Sequence, residues 1–288
     1  MPEPGPPSPA ALAGIISAAL AEDLGWGDIT TDYLIPSSTS ARAHALVKQE
    51  GVLAGLDAFC QTFLAVDPSI LVERLASDGT RVARGDVVAR LAGPAAPMLR
   101  AERTALNLLQ RLSGIATMTA RYVEAVRDLP VRVIDTRKTT PGLRLLEKYA
   151  VRVGGGHNHR FGLSDGVLVK ENHLLALRAE GLTLADAVAR LRRSVPHTVR
   201  IEVEVVTVEQ AQEALEAGAD VILLDNMPPE RMREVVQLVG GRALTEASGG
   251  IRLSNVRAVA ETGVDLLSVG ALTHSPQALD ISLEFELA

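Results

Sequence analysis

From residue 130 onward, short apolar runs alternate with longer amphipathic segments, and this rhythm constrains the possible fold more than any other feature of the chain. The runs VRVIDT, VLVK, IEVEV, VILLD, ALTEAS and LLSVG predict strands, and segments between them, such as GLRLLEKYAV and PERMREVVQLVG, predict helices. Such alternation implies parallel strands joined by helical crossovers. The sequence therefore predicts an α/β fold, either a barrel or an open sheet.

Polar residues or glycines stand at the C-terminal ends of the predicted strands. They are Asp135, Lys170, Glu204, Asp225, Glu246 with Ser248, and Gly270. Loops are polar in most proteins, so one or two such residues would carry little meaning. Barrel active sites draw residues from the C-terminal ends of many strands, whereas an open sheet uses mainly one crevice. The repeated placement favours the barrel.

The chain before this alternation follows a different pattern. Ser8-Pro9 is expected to begin a helix that stops at Gly25, and the stretch from there to about Pro97 is strand-like, with glycine turns between short runs. A long amphipathic helix is expected from about Ala101. Its predicted buried face carries Leu106, Leu109, Leu112, Ile115 and Met118.

Composition excludes several classes of protein. Apolar residues make up 47% of the chain and aromatic residues only 3%, which is typical of aliphatic cores in helix-covered parallel sheets. The single cysteine, Cys60, excludes an intramolecular disulfide and a cysteine-rich metal site. No apolar run is long enough to span a membrane, and the proline-rich start MPEPGPPSPA lacks the pattern of a signal peptide. A soluble, cytoplasmic protein is expected.

A basic cluster lies in the stretch from Asp135 to His173, around a run of three glycines. Its members are Arg137, Lys138, His159, Arg160 and Lys170. The chain as a whole has a formal net charge of −6, so the cluster indicates a local site for a small anion and not a nucleic-acid surface. A solvated charged loop would explain the charges, but not the glycines or the Asn between two histidines.

Two further features suggest the ligand. Glu204 and Asp225, each at a strand end, suit a divalent cation or ribose hydroxyls, although either could be a structural acid. Ser248-Gly249-Gly250 and Gly270-Ala271 follow late strands, where backbone N–H groups can cradle a phosphate. Together with the basic cluster, these features indicate a barrel enzyme that acts on a phosphorylated, carboxylated small molecule with a divalent metal.

Specific sequence blocks resemble one family. They are EDLGWGDITT, ERTALNLLQRLSGIAT, DTRKTTPG, GGGHNHR, VLVKENH, IEVEV, VILLDN, EASGGI and VGALTHS. These blocks are similar to those of quinolinate phosphoribosyltransferase. The resemblance implies an N-terminal α/β sandwich over residues 1–115 and an incomplete α/β barrel of the type II phosphoribosyltransferases over 116–275. The tail, about 276–288, is expected to pack back on the sandwich.

The resemblance also implies the reaction. Quinolinate and phosphoribosyl pyrophosphate would give nicotinate mononucleotide, pyrophosphate and carbon dioxide, with Mg²⁺ as cofactor. The family works as a dimer or an assembly of dimers. By position, Arg137, His159, Arg160 and Lys170 match residues that bind quinolinate, and Arg103 matches an arginine supplied by the neighbouring subunit.

The other half of the implied site binds the phosphoribosyl donor. Lys138, Glu204 and Asp225 are expected to contact the donor and to act in catalysis, and the two acids are also expected to hold the metal. The remaining predicted donor contacts are Ser248, Gly249, Gly250, Gly270 and Ala271. His157, His173 and His274 are weaker candidates for substrate contact.

Several alternatives stay open at this level. GTRVARGDVVARLAG resembles the repeats of lipoyl carrier domains, but it lacks a lysine at a hairpin tip. A non-catalytic phosphate-binding barrel would not need both the acid pair and the full basic set. A phosphoribosyltransferase for nicotinate would hold only one carboxylate and need fewer cations. A relative associated with molybdenum transport departs from the NHR and KENH elements, which are intact here.

Overall fold

A computed structural model describes residues 6–287, so half of the proline-rich start lies outside the described residues. The helices of the described part are α1 (Pro9–Leu24), α2 (Ile29–Leu34), α3 (Leu56–Val66), α4 (Ala95–Ala125), α5 (Arg144–Val153), α6 (Glu171–Ala179), α7 (Leu184–Ser194), α8 (Val208–Glu216), α9 (Pro229–Val239), α10 (Val256–Ala260) and α11 (Ala271–His274). The strands are β1 (Ser40–Val47), β2 (Gly51–Val52), β3 (Leu71–Arg74), β4 (Arg81–Val82), β5 (Val87–Pro94), β6 (Arg132–Ile134), β7 (Val167–Val169), β8 (Ile201–Val205), β9 (Val221–Asp225), β10 (Leu244–Ser248), β11 (Leu266–Ser268) and β12 (Ile281–Leu287).

The described residues form two compact units. The first unit contains the residues up to Ala120, the segment Thr139–Gly155 and the residues from Leu272 onward. The second contains Arg121–Lys138 and Gly156–Ala271. The segment that carries α5 thus packs with the first unit, although it lies between two strands of the second in the sequence. The domain ranges 1–115 and 116–275 stay a prediction.

The first unit is built on an antiparallel sheet with strand order β12-β1-β5-β3. β1 alternates exposed and buried positions, and its buried side chains are small, as at Ala43 and Ala45. Phe59 and Phe63 of α3 pack edge to face in the core beside this sheet, with ring centroids 5.1 Å apart. The C-terminal strand β12 pairs with β1, so the end of the described chain completes this sheet.

Helix α4 belongs to the first unit as far as Ala120. Leu106, Leu109, Leu112 and Ile115 are buried as predicted, while Met118 is only half-buried. The helix begins at Ala95, six residues before the predicted start, because Pro97 lies in the first turn, where proline is tolerated. A side chain at Gly114 would collide with the carbonyl oxygen of Gln277, so glycine permits the close approach of the C-terminal segment.

The expectation of strand-like structure between Gly25 and Pro97 is partly wrong. Helix α2 begins there because Asp28 caps it: the Asp28 carboxylate accepts a hydrogen bond from Thr31 N at 3.0 Å. Helix α3 begins after Gly55, which is left-handed with φ 91°. By contrast, α1 begins at Pro9 with Ser8 as its cap and ends before Gly25, as predicted.

The second unit contains a six-stranded parallel sheet with the order β6-β11-β10-β9-β8-β7. Strands β7 to β11 are neighbours in sequence order, and β6 pairs with β11. Among the described residues, β6 and β7 form the two edges of this sheet. The strands therefore follow the circular order of a barrel that is open at one seam, which confirms the predicted incomplete barrel.

The base of this barrel is apolar. Ile134, Val221 and Leu266 form a cluster, and Leu244 packs against it. These residues come from neighbouring strands of the sheet. Because side chains two positions apart along a strand point to the same side, Leu223 and Asp225 of β9 lie on the same side as Val221, and Glu246 and Ser248 of β10 lie on the same side as Leu244.

Candidate active site

Two glutamates of β8 face the barrel interior at different depths. Glu202 and Glu204 alternate with Ile201, Val203 and Val205, so both acidic side chains lie on the same side of the strand. Glu202 is buried and Glu204 is half-buried. The strand thus carries one carboxylate below the rim of the barrel and one at it.

The buried Glu202 belongs to a cluster with His159 and Glu246. One candidate ligand atom from each of the three residues lies within 4.8 Å of the other two. His159 Nε2 lies 3.1 Å from Glu202 Oε2 and 3.7 Å from Glu246 Oε1. Glu246 is the third residue of β10, inside the strand and not at its end. We call these three residues the His159 cluster.

The electrostatics of the His159 cluster are unusual. Burial, and then the nearby Glu202, raise the pKa of Glu246 well above its ordinary value, against a smaller opposing effect of the Ser268 hydroxyl. A hydrogen bond with Glu202 also contributes to this increase. Two buried carboxyl groups whose oxygens lie within 4.8 Å of each other repel when both are ionised, so the pair is more stable when one of them keeps its proton.

Asp135 holds the loop that carries His159. This fully buried acid accepts hydrogen bonds from His159 N at 2.9 Å and from Asn158 Nδ2 at 2.5 Å. His157 bridges to Ile134 of β6 through backbone hydrogen bonds, so the loop lies beside an edge strand of the open barrel. His157 therefore has a structural backbone role in this loop.

Arg160 follows directly and is half-buried. Its backbone N–H donates to His159 Nδ1 at 2.7 Å, and its Nη1 donates to the carbonyl oxygen of Gly166 at 2.8 Å. Burial, and then repulsion from Arg137, lower the pKa of Arg160. The structure therefore brings Arg137 and Arg160 together, and an anion between them would relieve that repulsion.

Lys170 and Glu204 form an ion pair at the rim. Lys170 Nζ donates to Glu204 Oε2 at 2.7 Å. Lys170 also precedes α6, a helix that the sequence analysis did not predict, and its backbone N–H donates to His173 Nδ1 at 2.9 Å. His173 is therefore a helix-capping residue. Lys170, which is predicted to bind a quinolinate carboxylate, is therefore in direct contact with Glu204, which is predicted to bind the metal.

On the next strand, Asp225 is oriented by Asn226. Asn226 Nδ2 donates to Asp225 Oδ2 at 3.0 Å, and Asn226 N donates to the carbonyl oxygen of Ser248 at 2.9 Å. Asn226 has a positive φ of 54°, which is rare outside glycine. A side chain at Gly249 would collide with the Asn226 amide. The residue after β9 therefore packs closely against the glycine turn after β10.

The remaining predicted residues are distributed as follows. Arg137 and Lys138 are exposed in the loop after β6, Gly270 lies between β11 and α11, and Ala271 is the first residue of α11. Arg103 lies in the first unit, on an exposed position of α4. His274 is also in the first unit, with Nδ1 2.6 Å from Ser275 Oγ.

Sequence reasoning missed the site residues that lie below the surface. Asp135 and Glu246 stand out in the sequence only as strand-end acids and Asn158 only as the residue between two histidines, so none of them has a predicted role, and nothing in the sequence analysis points to Glu202 or Asn226. The available signal for Glu202 was the period of IEVEV, which places two acids on one side of a strand predicted to be buried.

The fold and the site define a class of protein. An incomplete parallel barrel with paired cations and carboxylates at its C-terminal rim is suited to anionic, phosphorylated substrates. Family models described as the C-terminal and N-terminal domains of quinolinate phosphoribosyl transferase match residues 115–284 and 28–113. The chain therefore belongs to the quinolinate phosphoribosyltransferase family.

Individual relatives agree with this family. The chain is 45% identical over 277 residues to the probable carboxylating nicotinate-nucleotide pyrophosphorylase of Bacillus subtilis (strain 168), covering 96% of this chain and 94% of the relative. It is 40% identical over 291 residues to the decarboxylating quinolinate phosphoribosyltransferase 2a of Nicotiana tabacum, a mitochondrial protein, covering 96% and 82%.

Solved structures agree as well. The crystal structure of NadC from Streptococcus pyogenes superposes with a TM-score of 0.93 at 40% identity, covering 99% of each chain. The nicotinate-nucleotide pyrophosphorylase of Francisella tularensis superposes with a TM-score of 0.91 at 35% identity, again covering 99% of each chain. The likeness extends over nearly the whole length of the chain.

Proposed function

We propose that the protein transfers the phosphoribosyl group of phosphoribosyl pyrophosphate to the nitrogen of quinolinate, with loss of carbon dioxide. The products are nicotinate mononucleotide and pyrophosphate, and the reaction serves NAD biosynthesis. The names of the relatives and the family models support this function. The structural observation that supports it best is the closeness of the basic cluster to strand-end carboxylates in the second unit.

The basic residues suit a dicarboxylate. Quinolinate carries two carboxylates on adjacent ring carbons, and a pair of repelling guanidinium groups is neutralised by such a ligand. Arg137 and Arg160 are the proposed principal ligands, with Lys170 at the rim and Arg103 from a neighbouring subunit. His159, the other predicted member, lies directly behind Arg160.

The same arrangement suits the two chemical events. As the bond to pyrophosphate breaks, positive charge develops on the anomeric carbon, and the carboxylates of Glu204 and Asp225 can stabilise that charge. The quinolinate nitrogen then forms the new bond and becomes cationic. The adjacent carboxylate leaves as carbon dioxide, and its bonding electron pair stays on the ring carbon next to the positive nitrogen. A proton then binds to that carbon.

Glu204 and Asp225 would also hold Mg²⁺. Both offer carboxylate oxygens at the rim, which is the donor type that a hard divalent cation prefers. When bound, the cation would neutralise charge on the departing pyrophosphate. Lys138 and the turn residues Ser248, Gly249, Gly250, Gly270 and Ala271 would hold the phosphates of the donor.

Two further properties of the enzyme are also proposed. A homodimer, or an assembly of dimers, is what the family resemblance implies, and a cytoplasmic location is proposed because the single cysteine, Cys60, suits a reducing compartment. Across residues 6–287, none of the helices combines the length and apolarity that crossing a bilayer would require.

The decisive test of the function follows carbon dioxide release. Protein incubated with Mg²⁺, phosphoribosyl pyrophosphate and quinolinate labelled in the carboxylate next to the ring nitrogen should release labelled carbon dioxide and form nicotinate mononucleotide in equal amounts. Nicotinate in place of quinolinate should give no product, because it lacks the second carboxylate. Turnover of nicotinate at a comparable rate would refute the proposed specificity.

A further inference from the structure

The His159 ring is engaged by the protein at both of its nitrogens. Nδ1 accepts the backbone N–H of Arg160 at 2.7 Å, which requires that Nδ1 carries no proton. The ring proton of the neutral imidazole is then on Nε2, which lies 3.1 Å from Glu202 Oε2 and donates to it. The ring therefore forms a link between a buried carboxylate and the backbone of Arg160.

The carboxylates behind this ring are themselves buried. Glu202 and Glu246 have exposed fractions of 6% and 1%. Glu202 Oε1 and Glu246 Oε1 have no hydrogen-bond partner among the described residues. Buried acceptors without partners lower the stability of a protein interior, so their presence in the barrel calls for an explanation other than stability.

A cation held by these three residues would be one explanation, since their ligand atoms are close together. The hydrogen bond from Arg160 N to Nδ1 argues against it. A metal would have to bind Nε2, the nitrogen that carries the ring proton in this tautomer. The geometry is that of a hydrogen-bonded support and not that of a metal centre.

We propose that His159 is a positioning residue for Arg160, held from behind by Glu202 and Glu246, and is not itself a ligand of the quinolinate carboxylate. The support fixes the backbone of Arg160 at one end, while Gly166 accepts from its guanidinium at the other. The guanidinium group of Arg160 is therefore held in one orientation before the substrate binds. This inference rests on the proposed function, because it concerns the same dicarboxylate site.

A double-mutant cycle separates positioning from direct binding. Quinolinate affinity is measured by calorimetry without donor in wild type, His159→Gln, Arg160→Lys and the double variant. We expect His159→Gln to raise the dissociation constant about tenfold, as for one lost oriented contact. In the Arg160→Lys background the same change should have almost no effect, because lysine has no fixed fork to orient. Independent, multiplicative effects would overturn the inference.

A second pair of variants tests the acids behind the ring. Glu246→Gln keeps the shape and can donate to Glu202, whereas Glu246→Ala removes the support. Glu246→Ala should weaken quinolinate binding about tenfold without touching the ligand, and Glu246→Gln should restore most of it. The exposed His197→Gln is the control and should bind like wild type. Equal binding by Glu246→Ala and wild type would contradict the support.

Nitrogen NMR of the imidazoles gives a readout on the wild-type protein that does not depend on substrate binding. The chain has six histidines, so the His159 signal is identified by its loss in His159→Gln. The inference requires a proton on Nε2 and none on Nδ1, and a proton on Nδ1 would overturn it. Wild type that neither binds quinolinate nor releases carbon dioxide would instead refute the proposed function, and leaves this tautomer test intact.

Discussion

At the scale of single residues, the site combines exposed charged residues, which are proposed to contact the substrates, with buried acidic residues. Arg137 and Lys138 are exposed, whereas Asp135, Glu202 and Glu246 are buried behind the loop that carries Arg160. The buried acids are proposed to orient Arg160 and not to contact the substrates themselves. Two consequences can be measured.

The first concerns pH. The native pKa of Glu246 is raised above 4.5 by burial and by Glu202, so the native protein keeps this proton to a higher pH than the unfolded chain does. Stability is therefore lost as the pH rises from about 4.5 toward the native pKa. Glu246→Gln cannot ionise, so its unfolding free energy should gain on that of wild type as the pH is raised from 5 to 8.

Urea unfolding at several pH values measures this difference. Glu230→Gln, at an exposed position of α9, is the matched control, and its difference from wild type should stay constant across the range. A Glu246→Gln difference that does not change with pH would show that the carboxyl is ionised in both states.

The second consequence concerns adjacent glycines with different surroundings. Gly249 and Gly250 are both left-handed, with φ of 86° and 63°, so alanine at either position costs about 1–2 kcal/mol in backbone energy. Alanine at Gly249 would also collide with Asn226, whereas nothing lies within 4 Å of a side chain at Gly250. Gly249→Ala should therefore lower the unfolding free energy clearly more than Gly250→Ala, as measured by urea titration.

At the scale of elements, the sequence predicted the repeating part of the fold well. IEVEV and VILLD form strands with the predicted bounds, because apolar runs between turns leave few alternatives. The short helices α2 and α6 were not predicted. α6 begins directly after a strand and shows little amphipathic pattern, and α2 depends on one cap, Asp28, within a region of strand-like texture.

The candidate site was predicted in part for similar reasons. Exposed residues such as Arg137 and Lys170 stand out as charges in a motif, and the family resemblance supplies the roles proposed for them. His159 and Glu246 are far apart in the chain, so no local sequence pattern predicts the contact between them. The pairing of Gly249 with Asn226 likewise becomes visible only once two strands are placed side by side.

Helix α5 provides a prediction at this scale. Glu147 is fully buried, and its carboxylate accepts from Arg111 Nη2 at 2.9 Å, Thr140 Oγ1 at 2.8 Å and Thr140 N at 3.0 Å. Glu147→Ala leaves these donors without their acceptor. We expect a loss of about 3–5 kcal/mol in unfolding free energy.

The control for this prediction is an exposed ion pair of the same unit. Glu73 lies 3.6 Å from Arg90, with both side chains 62% exposed, and Glu73→Ala should change stability by less than about 1 kcal/mol. Similar losses for the two variants in chemical denaturation would show that the Glu147 network contributes no more than a surface pair.

At the scale of the whole molecule, the proposed dimer makes a complementation prediction. If Arg103 acts in the site of a neighbouring subunit, Arg103→Ala and Lys138→Ala homodimers are both inactive. Mixed dimers formed after unfolding and refolding of equal amounts should have one intact site each, which gives about a quarter of wild-type activity by random pairing. Verified mixed dimers without activity would place Arg103 in the site of its own subunit.

Because acidic and aliphatic residues alternate along β8, the site can form only when this strand pairs in the correct register. Ile201, Val203 and Val205 occupy one face of this strand, and Glu202 and Glu204 occupy the other. Pairing shifted by a single residue would turn both carboxylates outward against apolar neighbours and three aliphatic side chains inward. The support behind Arg160 and the proposed metal ligand would disappear in the same event. A population with mixed register would thus contain fully competent and wholly inactive molecules, with no class of half-working enzyme between them.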